Sequence, residues 1–258
     1  MIERFPKLYA IVDRATLEAR GVTVGEFVRE LREAGVRLVQ YRDKVGSPQE
    51  ILRACAEIRE VFAGVGATLI LNDRADLAVL AGWDGVHVGQ GDLPVEAVRR
   101  VVGDYAGAGE SRFLGSLGMT ERKGSANAGV LPLHVAQGQD DMRKRWVVGV
   151  STHNKQQVLP LRDAQGQDDK FSWVDYVAVG PVFGTASKAD AEPVIGLEGV
   201  RRMRALTAKP MIAIGGITLT NAASVVEAGA DAVAVIGGMF VEGRRVGEVA
   251  RDFLRILG

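Results

Sequence analysis

Eight short apolar runs, each followed by a longer stretch, constrain this chain more than any other feature. The runs lie at 8–12, 38–41, 68–71, 85–88, 147–150, 176–179, 211–214 and 232–236 and are rich in Val and Ile. Their hydrophobicity is continuous rather than alternating, which suits parallel strands covered on both faces. Helical patterns fill most of the gaps. At 24–34, Phe27, Val28 and Leu31 share one face and Gly35 supplies a stop. At 48–62, Ile51, Leu52, Cys55, Ile58 and Phe62 do the same. Further helices are expected at 75–81, 95–102, 197–206, 220–227 and 246–257. Eight strand–helix repeats without a long antiparallel stretch predict an α/β protein, a single (β/α)8 TIM barrel spanning 1–258. An open doubly wound sheet is the alternative, but no Gly-x-Gly-x-x-Gly follows the first strand.

One region breaks the rhythm. Residues 104–145 are rich in Gly, Ala, Ser, Gln and Asp and have weak periodicity. They read as a low-complexity insertion between strands four and five, partly disordered, with a smaller one near 160–173. The segment Ala136-Gln137-Gly138-Gln139-Asp140-Asp141 recurs as Ala164-Gln165-Gly166-Gln167-Asp168-Asp169. This reads as a duplicated insert without a function of its own.

Charge and cysteine content narrow the function classes. Lys+Arg and Asp+Glu both number 32, so the net charge is zero. That balance gives no electrostatic footprint for nucleic acid or an anionic membrane. The longest uncharged apolar stretch, 232–241, is too short to cross a bilayer. The start, Met1-Ile2-Glu3-Arg4-Phe5-Pro6, does not read as a signal peptide. The lone Cys55 excludes an intrachain disulfide or a cysteine zinc cluster and fits a reducing, cytoplasmic setting. A homo-oligomer is left open.

In such a barrel the active site sits at the C-terminal ends of the strands. After strand two, Gln40, Arg42 and Lys44 share one face by the period of a strand. An amide and two cations there could hold a heterocycle and a phosphate, or form a solvated strand end. Asp73 and Asp92 top strands three and four. Two carboxylates there can chelate a hard divalent cation; alone, each could cap a helix or turn. Ser151-Thr152-His153-Asn154 follows strand five and offers either a hydroxyl to a phosphate or a helix cap. The hydroxyls and Lys188 in Gly184-Thr185-Ala186-Ser187-Lys188 suit an anion clamp or a surface loop. Gly215-Gly216 and Gly237-Gly238 let backbone amides approach a phosphate or make plain turns. Of the histidines, His87 reads as a satisfied core residue, His134 as solvated and His153 as part of a helix start.

These motifs in this order resemble the thiamine phosphate synthase family. The match lies in Gln40-Tyr41-Arg42-Asp43-Lys44, Asn72-Asp73-Arg74-Ala75-Asp76-Leu77, Asp84-Gly85-Val86-His87-Val88-Gly89-Gln90-Gly91-Asp92-Leu93-Pro94, Gly149-Val150-Ser151-Thr152-His153-Asn154, Asp175-Tyr176-Val177-Ala178-Val179-Gly180-Pro181-Val182-Phe183, Lys188 and Ala213-Ile214-Gly215-Gly216-Ile217. The resemblance implies a transferase that joins a hydroxymethylpyrimidine diphosphate to a thiazole phosphate, releasing pyrophosphate, and CO2 when the thiazole is carboxylated. It implies pyrimidine diphosphate contacts at Gln40, Tyr41, Arg42, Asp43, Lys44, Asn72, Ser151 and Lys188, with Arg42, Ser151 and Lys188 acting on the leaving group. It implies Mg2+ at Asp73 and Asp92, and thiazole phosphate contacts at Thr185, Ala186, Ser187, Gly216, Ile236 and Gly237. Ser187 stands where the family usually has a second Thr, and Gly237 where it usually has Ser. A thiazole tautomerase and a non-catalytic phosphate-binding barrel are the alternatives. The intact Gln40, Arg42 and Lys44 face argues against the first.

Overall fold

The computed structural model describes residues 5–107, 146–152, 174–185 and 193–258. Within them the chain runs β1 (Leu8–Asp13), α1 (Arg14–Glu18), α2 (Val24–Ala34), β2 (Leu38–Arg42), α3 (Pro48–Val61), β3 (Thr68–Asn72), α4 (Ala75–Leu80), β4 (Gly85–Val88), α5 (Val95–Gly107), β5 (Val147–Thr152) and β6 (Tyr176–Val179). It continues through α6 (Gly196–Arg204), β7 (Met211–Ile214), α7 (Ala222–Glu227), β8 (Ala232–Val235) and α8 (Val246–Leu257). The strands close into a parallel barrel in sequence order, with β1 paired to both β2 and β8.

Local chemistry agrees with this layout. Thr23 with Glu26, and Ser47 with Glu50, form capping boxes that start α2 and α3, and Pro48 opens α3. Gly35 ends α2 in the left-handed region at φ 94°. Strand alternation then sorts the core into two layers. Tyr9, Ile11, Leu38, Ile70, Tyr176 and Ile212 pack inside the barrel. Leu8, Ala10, Val12, Val39 and Tyr41 face outward against helix residues such as Phe27, Val28 and Cys55.

Three of the strand pairs share a latch at the N-terminal rim. Asp84 donates its amide to the Leu69 carbonyl at 3.0 Å and accepts the Leu69 amide on its carboxylate at 2.7 Å. Asp175 does the same to Val148 at 2.8 and 2.9 Å, and Asp231 to Met211 at 2.8 and 2.7 Å. Each aspartate opens an Asp-x-Val-x-Val segment, at 84, 175 and 231. The side chain satisfies an amide at the start of the preceding strand that points toward the next strand before its ladder begins.

The structure departs from the sequence reading in three places. The expected insertion at 104–145 begins inside a helix, because the backbone of α5 continues to Gly107. Val98 and Val102 anchor that helix, and no proline follows to stop it. The short α1 was not expected; Asp13 starts it by accepting the Thr16 amide at 2.9 Å. Strands β1, β2, β3 and β5 run on through Asp13, Arg42, Asn72 and Thr152, since ladder bonding is indifferent to side-chain polarity. Residues 108–145, the segment at 160–173, both copies of the repeated hexapeptide, His134 and His153 lie outside the described residues.

The latch makes a stability prediction. Asp84→Ala leaves the buried Leu69 amide without its partner and should lower the unfolding free energy by about 1–3 kcal/mol. Asp84→Asn, which keeps an acceptor oxygen, should lose less. Urea denaturation of both variants checks the order.

Candidate active site

The mouth of the barrel is built around the inward face of β2. Gln40 donates to the Asn72 side chain of β3 at 2.7 Å, and both residues are buried. Arg42 donates to Asp13 of β1 at 2.5 Å. The two are register partners, so the ion pair bridges adjacent strand ends. Lys44, just past the strand, pairs with Asp73 beyond β3. The structure thus brings Gln40, Arg42 and Lys44 to one rim, each with a polar partner on a neighbouring strand or loop.

Tyr41 and Asp43 point the other way. Tyr41 packs in the outer layer and donates to Asp43 at 3.2 Å. Asp43 also accepts from Arg14 at 2.9 Å and from the amides of Val45 and Gly46 at 3.1 and 2.7 Å. Burial pushes the Tyr41 phenol well up, so it remains a neutral donor. These two side chains fasten the β2–α3 loop to α1 and do not reach the mouth.

Asp73 and Asp92 do meet. Asp73 is the one non-glycine at positive φ among the described residues, 63°. Its amide donates to the His87 carbonyl at 2.7 Å, tying the end of β3 to β4. Asp92 accepts the Gly89 amide at 2.8 Å and hydrogen-bonds Asp73. Burial raises the Asp73 carboxyl, with Asp92 adding to it against the pull of Lys44. Burial also acts upward on Asp92, but the hydrogen bonds from Asp73 and the Gly89 amide, with Lys44 nearby, outweigh it and hold that carboxyl low. The result is two carboxyl groups in contact, one raised and one lowered, with Asp73 at a strained backbone position. This donor set fits a hard divalent cation, which takes one or two carboxylates and leaves its remaining positions to water or phosphate.

Ser151 comes from the last turn of β5. Its hydroxyl lies 2.8 Å from His87 Nε2, and its carbonyl accepts from Gln90 at 2.6 Å. His87 Nδ1 lies 3.0 Å from the Tyr176 hydroxyl, which lies 3.0 Å from that of Tyr9. His87 is satisfied, as the sequence suggested, but it is satisfied by a site residue.

Across the mouth, Gly215 and Gly216 adopt φ of 101° and 62°. A Cβ on Gly215 would stand 2.6 Å from Pro181, and one on Gly216 2.7 Å from the Phe183 Cβ. The pair therefore has a packing reason as well: it lets the β6 loop close over β7. Ile236 packs against the inner layer, and Gly237 opens the short 3-10 turn Gly237–Met239. Thr185 ends the described part of its loop, so Ala186, Ser187 and Lys188 lie outside it.

Asp13 escaped the sequence reading. Its only signal was its place one residue past an apolar run, opposite Arg42 in the register. It has two jobs: capping α1 and holding Arg42, whose guanidinium keeps other N–H groups for a ligand. Asp13→Asn should keep the cap but lose the ion pair, lowering stability by about 1–3 kcal/mol. Asp13→Ala should lose roughly 1 kcal/mol more, the worth of the cap. Equal losses in thermal and urea unfolding would show that the cap contributes nothing.

Comparison with known proteins adds what geometry alone cannot. The family model described as thiamine monophosphate synthase matches residues 8–112 and 129–239. A thiamine-phosphate synthase of Koribacter versatilis is 40% identical over 98% of this chain and 97% of its own length. One from Methanoculleus marisnigri is 34% identical over 92% of this chain and 88% of its own. The structure of a thiamine phosphate pyrophosphorylase from Pyrococcus furiosus superposes with a TM-score of 0.68, covering 98% of this chain and 95% of that one, at 24% identity. A 3-hexulose-6-phosphate synthase from Salmonella typhimurium shares the fold too, with a TM-score of 0.57 at 17% identity, covering 97% of this chain and 98% of that one. The barrel alone thus does not select a chemistry. The sequence matches do: the chain belongs to the thiamine monophosphate synthase family.

Proposed function

We propose that this chain is a thiamine-phosphate synthase, a transferase that joins a hydroxymethylpyrimidine diphosphate to a thiazole phosphate with release of pyrophosphate. The observation that carries the reading is the row of Gln40, Arg42 and Lys44 on one rim, facing the Asp73 and Asp92 carboxyls. The names of the similar proteins support it.

The chemistry follows from where charge develops. An electron-rich aminopyrimidine methylene can lose pyrophosphate with both bonding electrons, and the thiazole nitrogen lone pair then forms the new C–N bond. No general base is needed at the reacting atoms. What the protein must supply is order and positive charge at the leaving group. Arg42 offers a fork of N–H donors to diphosphate oxygens, and Lys44 a compact charge. Ser151 offers a hydroxyl, and Gln40 with Asn72 a polar edge for the pyrimidine. Mg2+, held by Asp73 and Asp92, would neutralise diphosphate charge. Lys188 would add a second cation, and Thr185, Ala186, Ser187, Gly216, Ile236 and Gly237 would surround the thiazole phosphate; at Ala186, Ser187 and Lys188 this rests on the resemblance.

Pyrophosphate release, measured with both substrates and with Mg2+ present or chelated, tests the reading. Release only with both substrates and the metal is expected. A tautomerase or a binding module would release none. Asp92→Asn should lower turnover by on the order of 10²–10³, the loss typical of one preorganised charge-stabilising group. Arg42→Ala should lower kcat more than it weakens diphosphate binding, because the charge it meets grows in the transition state. Arg42→Lys should recover part of the loss. If only thiazole phosphate binding suffered in Arg42→Ala, the two subsites would be exchanged.

A further inference from the structure

A chain of three hydrogen bonds runs from the interior of the barrel to its mouth. It links Tyr9 to Tyr176 at 3.0 Å, Tyr176 to His87 Nδ1 at 3.0 Å, and His87 Nε2 to the Ser151 hydroxyl at 2.8 Å. Tyr9 and Tyr176 are fully buried and Ser151 stands at the open end. We propose that His87 is a positioning residue, locked by Tyr176 so that its Nε2 proton points the Ser151 hydroxyl proton at an anionic ligand. The inference goes beyond the clamp assigned to Ser151 and rests on that reading.

Counting protons gives the chain one direction. Each phenol carries one proton, since burial keeps both neutral. Among the described residues, the Tyr9 hydroxyl has Tyr176 as its one hydrogen-bond partner. If Tyr9 accepted there, its own proton would be buried without an acceptor, which folded interiors avoid. Tyr9 therefore donates to Tyr176. Tyr176, having accepted, gives its proton to His87 Nδ1. A neutral imidazole with Nδ1 as acceptor carries its proton on Nε2. That proton goes to the Ser151 oxygen. The Ser151 hydroxyl, whose described partner is His87 alone, keeps its own proton for the mouth. In the opposite polarity Ser151 would spend its proton on His87 and present only lone pairs, which repel a phosphate oxygen.

The rings support the same reading. His87 and Tyr176 stack at 5.6 Å with planes 17° apart, and Tyr9 meets Tyr176 edge-on at 6.0 Å. Neither ring can turn without losing this packing, so the imidazole cannot flip to offer the other nitrogen.

Two measurements test this on the full chain. Heteronuclear NMR of histidine-labelled protein reads the tautomer, with His87 assigned by the signal missing from His87→Asn. A proton on Nε2 is expected; a proton on Nδ1 overturns the proposal. A double-mutant cycle reads the coupling. His87→Asn, whose amide reaches no farther than Nδ1, should lower kcat about tenfold, the worth of one hydrogen bond. The KM for thiazole phosphate should not move. In a Ser151→Ala background the same substitution should change kcat less than about twofold. An equal loss in both backgrounds would show that His87 acts apart from Ser151 and would overturn the proposal. His87→Gln, whose amide reaches as far as Nε2, should lose less than His87→Asn. Should His87→Asn fail to fold, Tyr176→Phe enters the same cycle. Wild-type turnover in Ser151→Ala would overturn both this inference and the role given to Ser151. A chain that releases no pyrophosphate at all would overturn the functional reading alone, and the tautomer would then decide.

Discussion

Closure of the sheet is the constraint on which everything else depends. Because β1 pairs with both β2 and β8, no strand edge is left and every strand has an inside and an outside. Side chains two apart fall on one wall, and residues far apart in sequence reach one rim. Arg42 and Asp13 meet through a strand pairing, not through the loops. The same is true of Gln40 and Asn72. Sites held on strands are more rigid than sites on loops, and here Asp13, Gln40, Arg42, Asn72 and Ser151 all sit on strands.

Both cations at the end of β2 are paired before any ligand arrives. Arg42 is paired with Asp13, and Lys44 with Asp73. These pairs differ in kind. Asp13 is 4% exposed and committed to α1 as well, so it anchors Arg42. Lys44 has a half-exposed side chain on a partner that Asp92 also contests. The buried pair is costly to break and the exposed pair is cheap.

Much of this was legible in the sequence, for identifiable reasons. Parallel strands buried on both faces leave continuous Val and Ile runs, so all eight strands could be located. Strand period placed Gln40, Arg42 and Lys44 together without further knowledge. The same period puts Tyr41 and Asp43 on the outer wall. They entered the expected substrate contacts only as members of a contiguous motif, in which neighbours with opposite orientations are lumped. Asp13 was illegible because its meaning lies in the register of β1 against β2. His87 looked like a core residue because it is one; its partners come from β5 and β6. The rim latch was visible in principle as the thrice-repeated Asp-x-Val-x-Val, but one sequence does not say which atoms an aspartate will cap.

The last link between sequence and site is a missing side chain. In the sheet register Gly149 of β5 stands between His87 of β4 and Tyr176 of β6. A Cβ at 149 would stand 2.0 Å from the Tyr176 Cζ. Two strands separated by a third cannot ordinarily bring side chains into contact along the same row, since the middle residue fills the space. Glycine empties it, and the tyrosine ring crosses over β5 to stack on the imidazole. Glycine weakens a strand on its own account, by its entropy and its want of packing. Here the neighbouring tyrosine supplies the packing that the glycine lacks. The same tyrosine hydrogen-bonds His87, and His87 hydrogen-bonds Ser151, two residues beyond that glycine on β5. The Gly149-Val150-Ser151 segment thus serves the site twice, once by what it lacks and once by what it presents.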